Sequence, residues 1–150
     1  MPELELKSDS FERGEPIPER HTCSGEGTSP PLTWLFVPEG TRSLALVVHD
    51  PDARSGDFVH WLAWNIDPAD GGIEENKPAP VEGTGGFGRP GYSGPCPPPG
   101  DGPHRYYFRL YALDTELDLD AGAARDQLEN AIEGHVLAGA ELMGTFERPA

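Results

Sequence analysis

Four polar clusters stand where apolar runs begin or end, and their residue types could do chemistry. His49-Asp50-Pro51-Asp52 closes the run Ser43–His49, and His60 sits inside the run Phe58–Ile66, beside Trp61 and Trp64. Ser93-Gly94-Pro95 lies in a Pro/Gly-rich stretch, and His104-Arg105-Tyr106 opens the run Arg105–Leu113. An imidazole on an apolar strand costs free energy unless it is hydrogen-bonded, and Asp50 or Asp52 can supply the partner. Such a set can receive a phosphate or carboxylate group. Protonated imidazole and a tyrosine hydroxyl donate to its oxygens, and a glycine N–H approaches with no side chain in the way. A carboxylate beside the histidine would raise its pKa and hold the donor form. The same residues could instead ligate a metal or act as a general acid–base pair. They could also be ordinary hydrogen-bonded core histidines beside a turn-capping aspartate. Spacing alone leaves these readings open. No Gly-x-Ser-x-Gly elbow or Walker loop is present to favour hydrolysis or nucleotide binding.

The elements that must position these residues are mostly strands. Ser43–His49 and Phe58–Ile66 are apolar enough for strands buried on both faces. Read with period two, Phe58, His60, Leu62, Trp64 and Ile66 share one face of the second run. In the third, Tyr106, Phe108, Leu110 and Ala112 oppose Arg105, Tyr107, Arg109 and Tyr111. Leu4–Lys7 is a shorter strand candidate, and Leu32–Val37 is a short apolar run ending at Pro38. Residues 68–102 are mostly loop, and GFGRPGYSGPCPPPGDG (86–102) cannot form a helix. Asp120 can cap a helix running from Ala121 to about Ile132, Gly134 interrupts it, and His135–Ala138 continues as a short helical turn. Glu141–Glu147 reads as a closing strand. The sum is a mainly antiparallel sheet protein with peripheral helices.

The 150 residues fit one domain, with Gly (19) and Pro (17) high enough to indicate a loop-rich β architecture. The formal net charge of -15 argues against nucleic-acid binding and against docking on anionic membranes. Scattered acids with only two lysines, Lys7 and Lys77, predict adaptation to concentrated salt. No apolar run is long enough to span a bilayer, and the N-terminus has no secretory pattern, so the expected location is cytoplasmic. Cys23 and Cys96 allow one pairing, and both a bridge and two free thiols fit the sequence. A bridge would contribute about 4 kcal/mol through chain entropy.

The order Asp50-Pro51-Asp52-Ala53, His60-Trp61, Gly94-Pro95 and Gly102-Pro103-His104-Arg105-Tyr106 resembles the phosphatidylethanolamine-binding protein family, in its prokaryotic Raf-kinase-inhibitor-like branch. The likeness extends from Ile17-Pro18, Thr22-Cys23 and Ser29–Trp34 to Gly134–Ala138. It implies one domain with a large antiparallel sheet packed on a smaller sheet, short peripheral helices, and a small cavity for phosphate-like anions. Carried over by position, the ligand-binding residues are Asp50, His60, Gly94, Pro95, His104 and Tyr106. Arg105, of opposite parity, is expected to form an ion pair. The resemblance implies a non-enzymatic protein with no cofactor or metal, whose partner is a small phosphorylated or anionic ligand. It hosts modulation of a kinase or other partner protein, and inhibition of a protease or kinase through a surface loop. Two departures stand out: Arg54 replaces the last proline of the Asp-Pro-Asp-Ala-Pro motif, and the loop continues as Cys96-Pro97-Pro98-Pro99. The chain also ends soon after Phe146, so no long C-terminal helix is expected to gate the cavity.

Overall fold

The computed structural model describes residues 2–150. In chain order the elements are β1 (Glu5–Lys7), β2 (Leu32–Leu35), β3 (Ser43–Asp50), β4 (Phe58–Ile66), β5 (Gly72–Ile73), β6 (Val81–Glu82), β7 (His104–Leu113), α1 (Arg125–Ile132) and β8 (Val136–Phe146). Single 3-10 turns occupy Glu19–His21 and Pro68–Asp70. The strands form two antiparallel sheets, ordered β6-β4-β3-β7-β8 and β1-β2-β5. This is the large sheet on a smaller sheet expected from the sequence.

Why β3 is buried along its whole length follows from what covers each face of the large sheet. On one face, Leu44, Leu46, Val48, Trp61, Phe108 and Leu110 pack against Leu6, Leu32, Trp34 and Ile73 of the small sheet. On the other, Ala45, Val47, Leu62 and Trp64 pack under Leu128 and Ile132 of α1. Each tryptophan in this core finds a partner for its N–H, as burial of an indole requires. Trp34 donates to the Pro68 carbonyl, Trp61 to the Glu82 carboxylate and Trp64 to the Leu119 carbonyl, at 3.0, 2.8 and 3.1 Å.

β4 departs from the simple alternation read from the sequence. Val48 pairs with Trp61, but the next residue, His49, pairs with Val59, so one extra residue is inserted at His60. A second shift lies between the pairs Leu46/Ala63 and Leu44/Ile66. There Asn65 takes φ 53 and is pinned by a reciprocal pair of hydrogen bonds with the Leu117 backbone, at 2.9 and 2.7 Å. These bulges switch the facing of the strand. Trp61, Ala63 and Ile66 therefore face the small sheet, while Leu62 and Trp64 face α1. β7 has no such interruption over its first nine pairs, and its alternation is as expected: Tyr106, Phe108, Leu110 and Ala112 are buried.

Three local expectations are corrected. The helix begins at Arg125, not Ala121, because Gly122 N–H bonds the Glu82 carbonyl and Thr84 N–H the Ala123 carbonyl, tying that segment to the chain after β6. Asp120 does not cap it; Gln127 accepts from the Ala124 N–H instead, at 2.9 Å. His135–Ala138 is not a helical turn: β8 starts at Val136, since β7 offers ladder partners as far as Leu113. Within the apolar run Leu32–Val37, the strand covers Leu32–Leu35 and Phe36 turns to φ 61. Between the two readings of the cysteines, the structure has the bridge: Cys23 and Cys96 are joined. Among the described residues no helix is long and apolar enough to cross a membrane.

Candidate functional site

The bulge in β4 and the ends of β3 and β7 bring the polar clusters to one end of the large sheet. A cavity of about 260 Å³ opens there, lined by Asp50, His60, His104, Tyr106, the rings of Phe58 and Phe87, and the backbone turns at 53–55 and 96–98. Asp50 ends β3 on the face of Val48. Its neighbour His49 points to the opposite face, where its Nδ1 meets Asp57 at 2.7 Å and Arg109 Nε donates to its Nε2 at 2.9 Å. His49 therefore takes no part in the cavity.

His104 holds the floor. Its Nδ1 donates to Asp50 at 2.7 Å and its Nε2 to Asp101 at 2.6 Å. Carboxylates accept only, so both bonds form at once only while both ring nitrogens carry protons, and the pair of carboxylates favours the imidazolium. Burial opposes that charge, but the bonds to Asp101 and Asp50 outweigh it and raise the His104 pKa. Asp101 is shared, since Arg54 donates to its other oxygen through Nε and Nη2 at 3.1 and 2.7 Å. The second Asp50 oxygen accepts the Asp52 N–H at 2.7 Å, which closes the turn after β3. Asp50, Asp101, His104 and Arg54 thus form a charge-balanced chain.

His60 is oriented from behind. Its Nδ1 donates to the Ser93 carbonyl at 2.8 Å, and the Ser93 N–H returns to the His60 carbonyl at 2.9 Å. Burial lowers the pKa of this ring. Tyr106 crosses it edge-on, with ring centroids 5.3 Å apart. The Tyr106 side chain is only 1% exposed, and its hydroxyl has no hydrogen-bond partner among the described residues. Burial, reinforced by the charge of Asp50, raises its pKa. Asp50, which already accepts from His104 and from the Asp52 N–H, is also the carboxylate that acts on this hydroxyl.

Gly94 and Pro95 stand one step behind the cavity wall and do not line it. A Cβ on Gly94 would lie 2.5 Å from the His21 carbonyl oxygen and 2.9 Å from Thr22 Cα. Pro95 accepts from the Cys23 N–H at 3.1 Å, and the bridge to Cys96, a cavity residue, follows at once. The loop is thereby fastened to the segment 21–23. Arg105 lies outside the cavity in the expected ion pair, its guanidinium gripping both oxygens of Asp52 at 2.8 and 2.9 Å. The Asp52 carboxyl is lowered to about 2, chiefly by that bond.

The sequence reading missed Asp101 and Phe87. Asp101 precedes His104 by three residues between Gly100 and Gly102, a spacing that lets a turn fold a carboxylate back onto a ring. Phe87 carried no local signal; it reaches Phe58, 4.8 Å between centroids, only through the tertiary fold. Among the described residues no group of three or more His, Cys, Asp or Glu side chains is placed to hold a metal ion.

The comparisons with known proteins agree with this architecture. The family model described as phosphatidylethanolamine-binding protein matches residues 7–147. A UPF0098 protein of Methanothermobacter thermautotrophicus is 48% identical, covering 97% of this chain and 99% of its own. A phosphatidylethanolamine-binding protein homolog from Chlamydia trachomatis superposes with a TM-score of 0.93 at 42% identity, over 97% of this chain and 98% of that one. YbcL of E. coli, described as a member of the mammalian family, superposes at 0.90 with 32% identity, over 97% and 99%. Sequence match, fold and the cluster at the sheet end lead to one assignment: the chain belongs to the phosphatidylethanolamine-binding protein family.

Proposed function

We propose that this chain is a non-catalytic binding protein whose cavity takes a small phosphate-like anionic group. The observation that carries the reading is the Tyr106 hydroxyl, buried and unpartnered at the cavity floor. A buried polar group without a partner costs free energy that a ligand oxygen can remove. His104 and Arg54 line the same cavity as that hydroxyl, each paired with a carboxylate, and the rings of Phe58 and Phe87 supply its apolar sides. A cavity of about 260 Å³ suits a head group and not a whole lipid. Against catalysis stands the absence of an activated nucleophile. Among the described residues no Ser, Thr or Cys side chain bonds to His60 or His104, and Cys96 is held in the bridge. Modulation of a partner protein would follow if a phosphorylated side chain of that partner occupied the same cavity.

Titration with inorganic phosphate and O-phosphorylethanolamine, followed by histidine NMR signals, tests the proposal. The expected result is saturable shifts at His60 and His104, with His21, His49 and His135 unmoved. Shifts spread equally over all five histidines, or none at millimolar ligand, would overturn it.

A further inference from the structure

The cavity floor has a donor–acceptor pattern that distinguishes oxyanions of equal charge and shape. The Ser93 carbonyl can only accept, so the proton of a neutral His60 ring resides on Nδ1, 2.8 Å away. Nε2 is then a bare lone pair, without a partner among the described residues, on the cavity side. The groups that face this ring come from every neighbouring element. Asp50 comes from β3, His104 and Tyr106 from β7, and Phe58 and Phe87 are apolar. Further out, Asp101 and Arg54 pair with each other. Burial disfavours a proton on Nε2 more than the charge of Asp50 and the Ser93 carbonyl favour it, and the His104 charge adds to burial. The His60 pKa is lowered as a result.

Beside this acceptor stands a donor. The Tyr106 hydroxyl has no acceptor among the described residues, and its ring touches that of His60. A ligand that satisfies both must accept one hydrogen bond and donate another. A fully deprotonated oxyanion accepts from Tyr106 but sets an oxygen lone pair against the nitrogen lone pair of His60. A site with a buried polar group left unpaired rejects the ligand that fails to pair it.

Resting on the phosphate reading above, we infer that the cavity selects a proton-bearing oxyacid, such as hydrogen phosphate or a phosphomonoester monoanion, over its fully deprotonated counterparts. The P–OH donates to His60 Nε2, and a P–O⁻ oxygen accepts from Tyr106. His60, held as an acceptor by Ser93, is the specificity-determining residue. Hydrogen phosphate dianion and sulfate share charge and tetrahedral shape and differ by that one proton. A phosphomonoester loses its last proton with a pKa of about 6, so its competent form thins tenfold per pH unit above that value.

The test is a calorimetric titration of the intact protein with inorganic phosphate, sulfate and O-phosphorylethanolamine at matched ionic strength. At about pH 7.5, inorganic phosphate should bind at least about tenfold tighter than sulfate. Between about pH 6.5 and 8.5, the monoester should weaken by roughly tenfold per unit, while inorganic phosphate holds nearly constant. Equal binding of phosphate and sulfate would overturn this inference and leave the anion-binding function standing. Binding of none of the three would remove the function and the inference together. Nitrogen-15 histidine spectra give a second readout. His60 should keep the neutral Nδ1–H signature when phosphate is bound, and a protonated ring in the complex would sink the idea.

Discussion

Tyr106→Phe should stabilise the protein and weaken its ligand, two effects of opposite sign from one oxygen atom. The Tyr106 ring is buried, so Phe keeps its packing. The hydroxyl has no well-formed hydrogen bond among the described residues, and Asp50 is the group that acts on it most, so its removal relieves a poorly satisfied buried donor. That donor costs about 1–3 kcal/mol. For a chain of 150 residues each kcal/mol moves the melting midpoint by roughly 2–4 °C, so Tm should rise by about 2–12 °C. Under the proposed function the same hydroxyl would bond a charged ligand oxygen, an interaction worth about 1.5–3 kcal/mol. Its loss corresponds to roughly 10- to 100-fold weaker phosphate binding. Thermal melts with and without phosphate read both quantities in one series, and Tyr107→Phe serves as the control. The Tyr107 hydroxyl is met only by Arg105 at 3.3 Å on the exposed side of β7, so that change should move Tm by less than about 2 °C. A fall in Tm for Tyr106→Phe would mean that the hydroxyl has a partner in the folded protein. An unchanged phosphate affinity would mean that the ligand never meets it. Either result refutes the reasoning from the unpartnered group.

Further outcomes follow from the same geometry. Reduction of the Cys23–Cys96 bridge releases a chain constraint spanning 73 residues, worth about 4 kcal/mol. Tm should fall by roughly 10 °C in reductant and in the Cys23→Ser/Cys96→Ser variant, and a fall under about 3 °C would contradict the estimate. His104 has a folded pKa raised above 6.5, so its contribution to stability is complete below about that pH and is lost as pH climbs through the raised value. Tm should therefore decline on the alkaline side, a slope that His104→Gln removes; an identical slope in the variant would assign it elsewhere. Gly94→Ala places a methyl group against the His21 and Thr22 backbone, with the bridge limiting relaxation, and should cost about 1–3 kcal/mol in denaturant titration. A neutral result would show that the loop can move away. With a net charge of -15, Tm should rise as potassium chloride increases from about 0.1 to 1 M, where the screening length shortens from about 10 to 3 Å. A flat profile would count against salt adaptation.

How much of this could be read from the chain depended on whether the signal was local. The alternation of Tyr106, Phe108, Leu110 and Ala112 was legible because β7 stays in register through Ala112. That register sets Tyr106 and the preceding His104 on the cavity face. β4 obeys no single period, since each inserted residue resets the facing, and a bulge at His60 leaves no mark in residue type. Leu62 and Trp64 were therefore assigned to the face of His60 although they pack under α1. β8 was legible only in its second half. Val136 and Leu137, about 45% exposed, form a strand because β7 lies alongside, a nonlocal cause that competes with helix propensity. At the cavity, Asp50, His60, His104 and Tyr106 came from the motif order. The roles of Ser93 as orienter and Asp101 as second carboxylate emerged from contacts between loops 33 and three residues away.

The single extra residue in β4 limits which lengths this strand can have. Deleting Val59 would restore plain alternation at this point and turn His60 out of line with Asp50 and Tyr106, leaving the hydrophobic pairing of Val48 with Trp61 nearly intact. Such a protein should keep its sheet and lose the meeting of His60 with Tyr106 at the cavity. The exposed turn at 53–56 meets no such condition and can lengthen or shorten with little effect on the sheet. A change in that turn would alter only the rim formed by Ala53, Arg54 and Ser55, whereas a change in the residue count along β4 acts as a gear slipping a tooth, moving His60 relative to Asp50 and Tyr106.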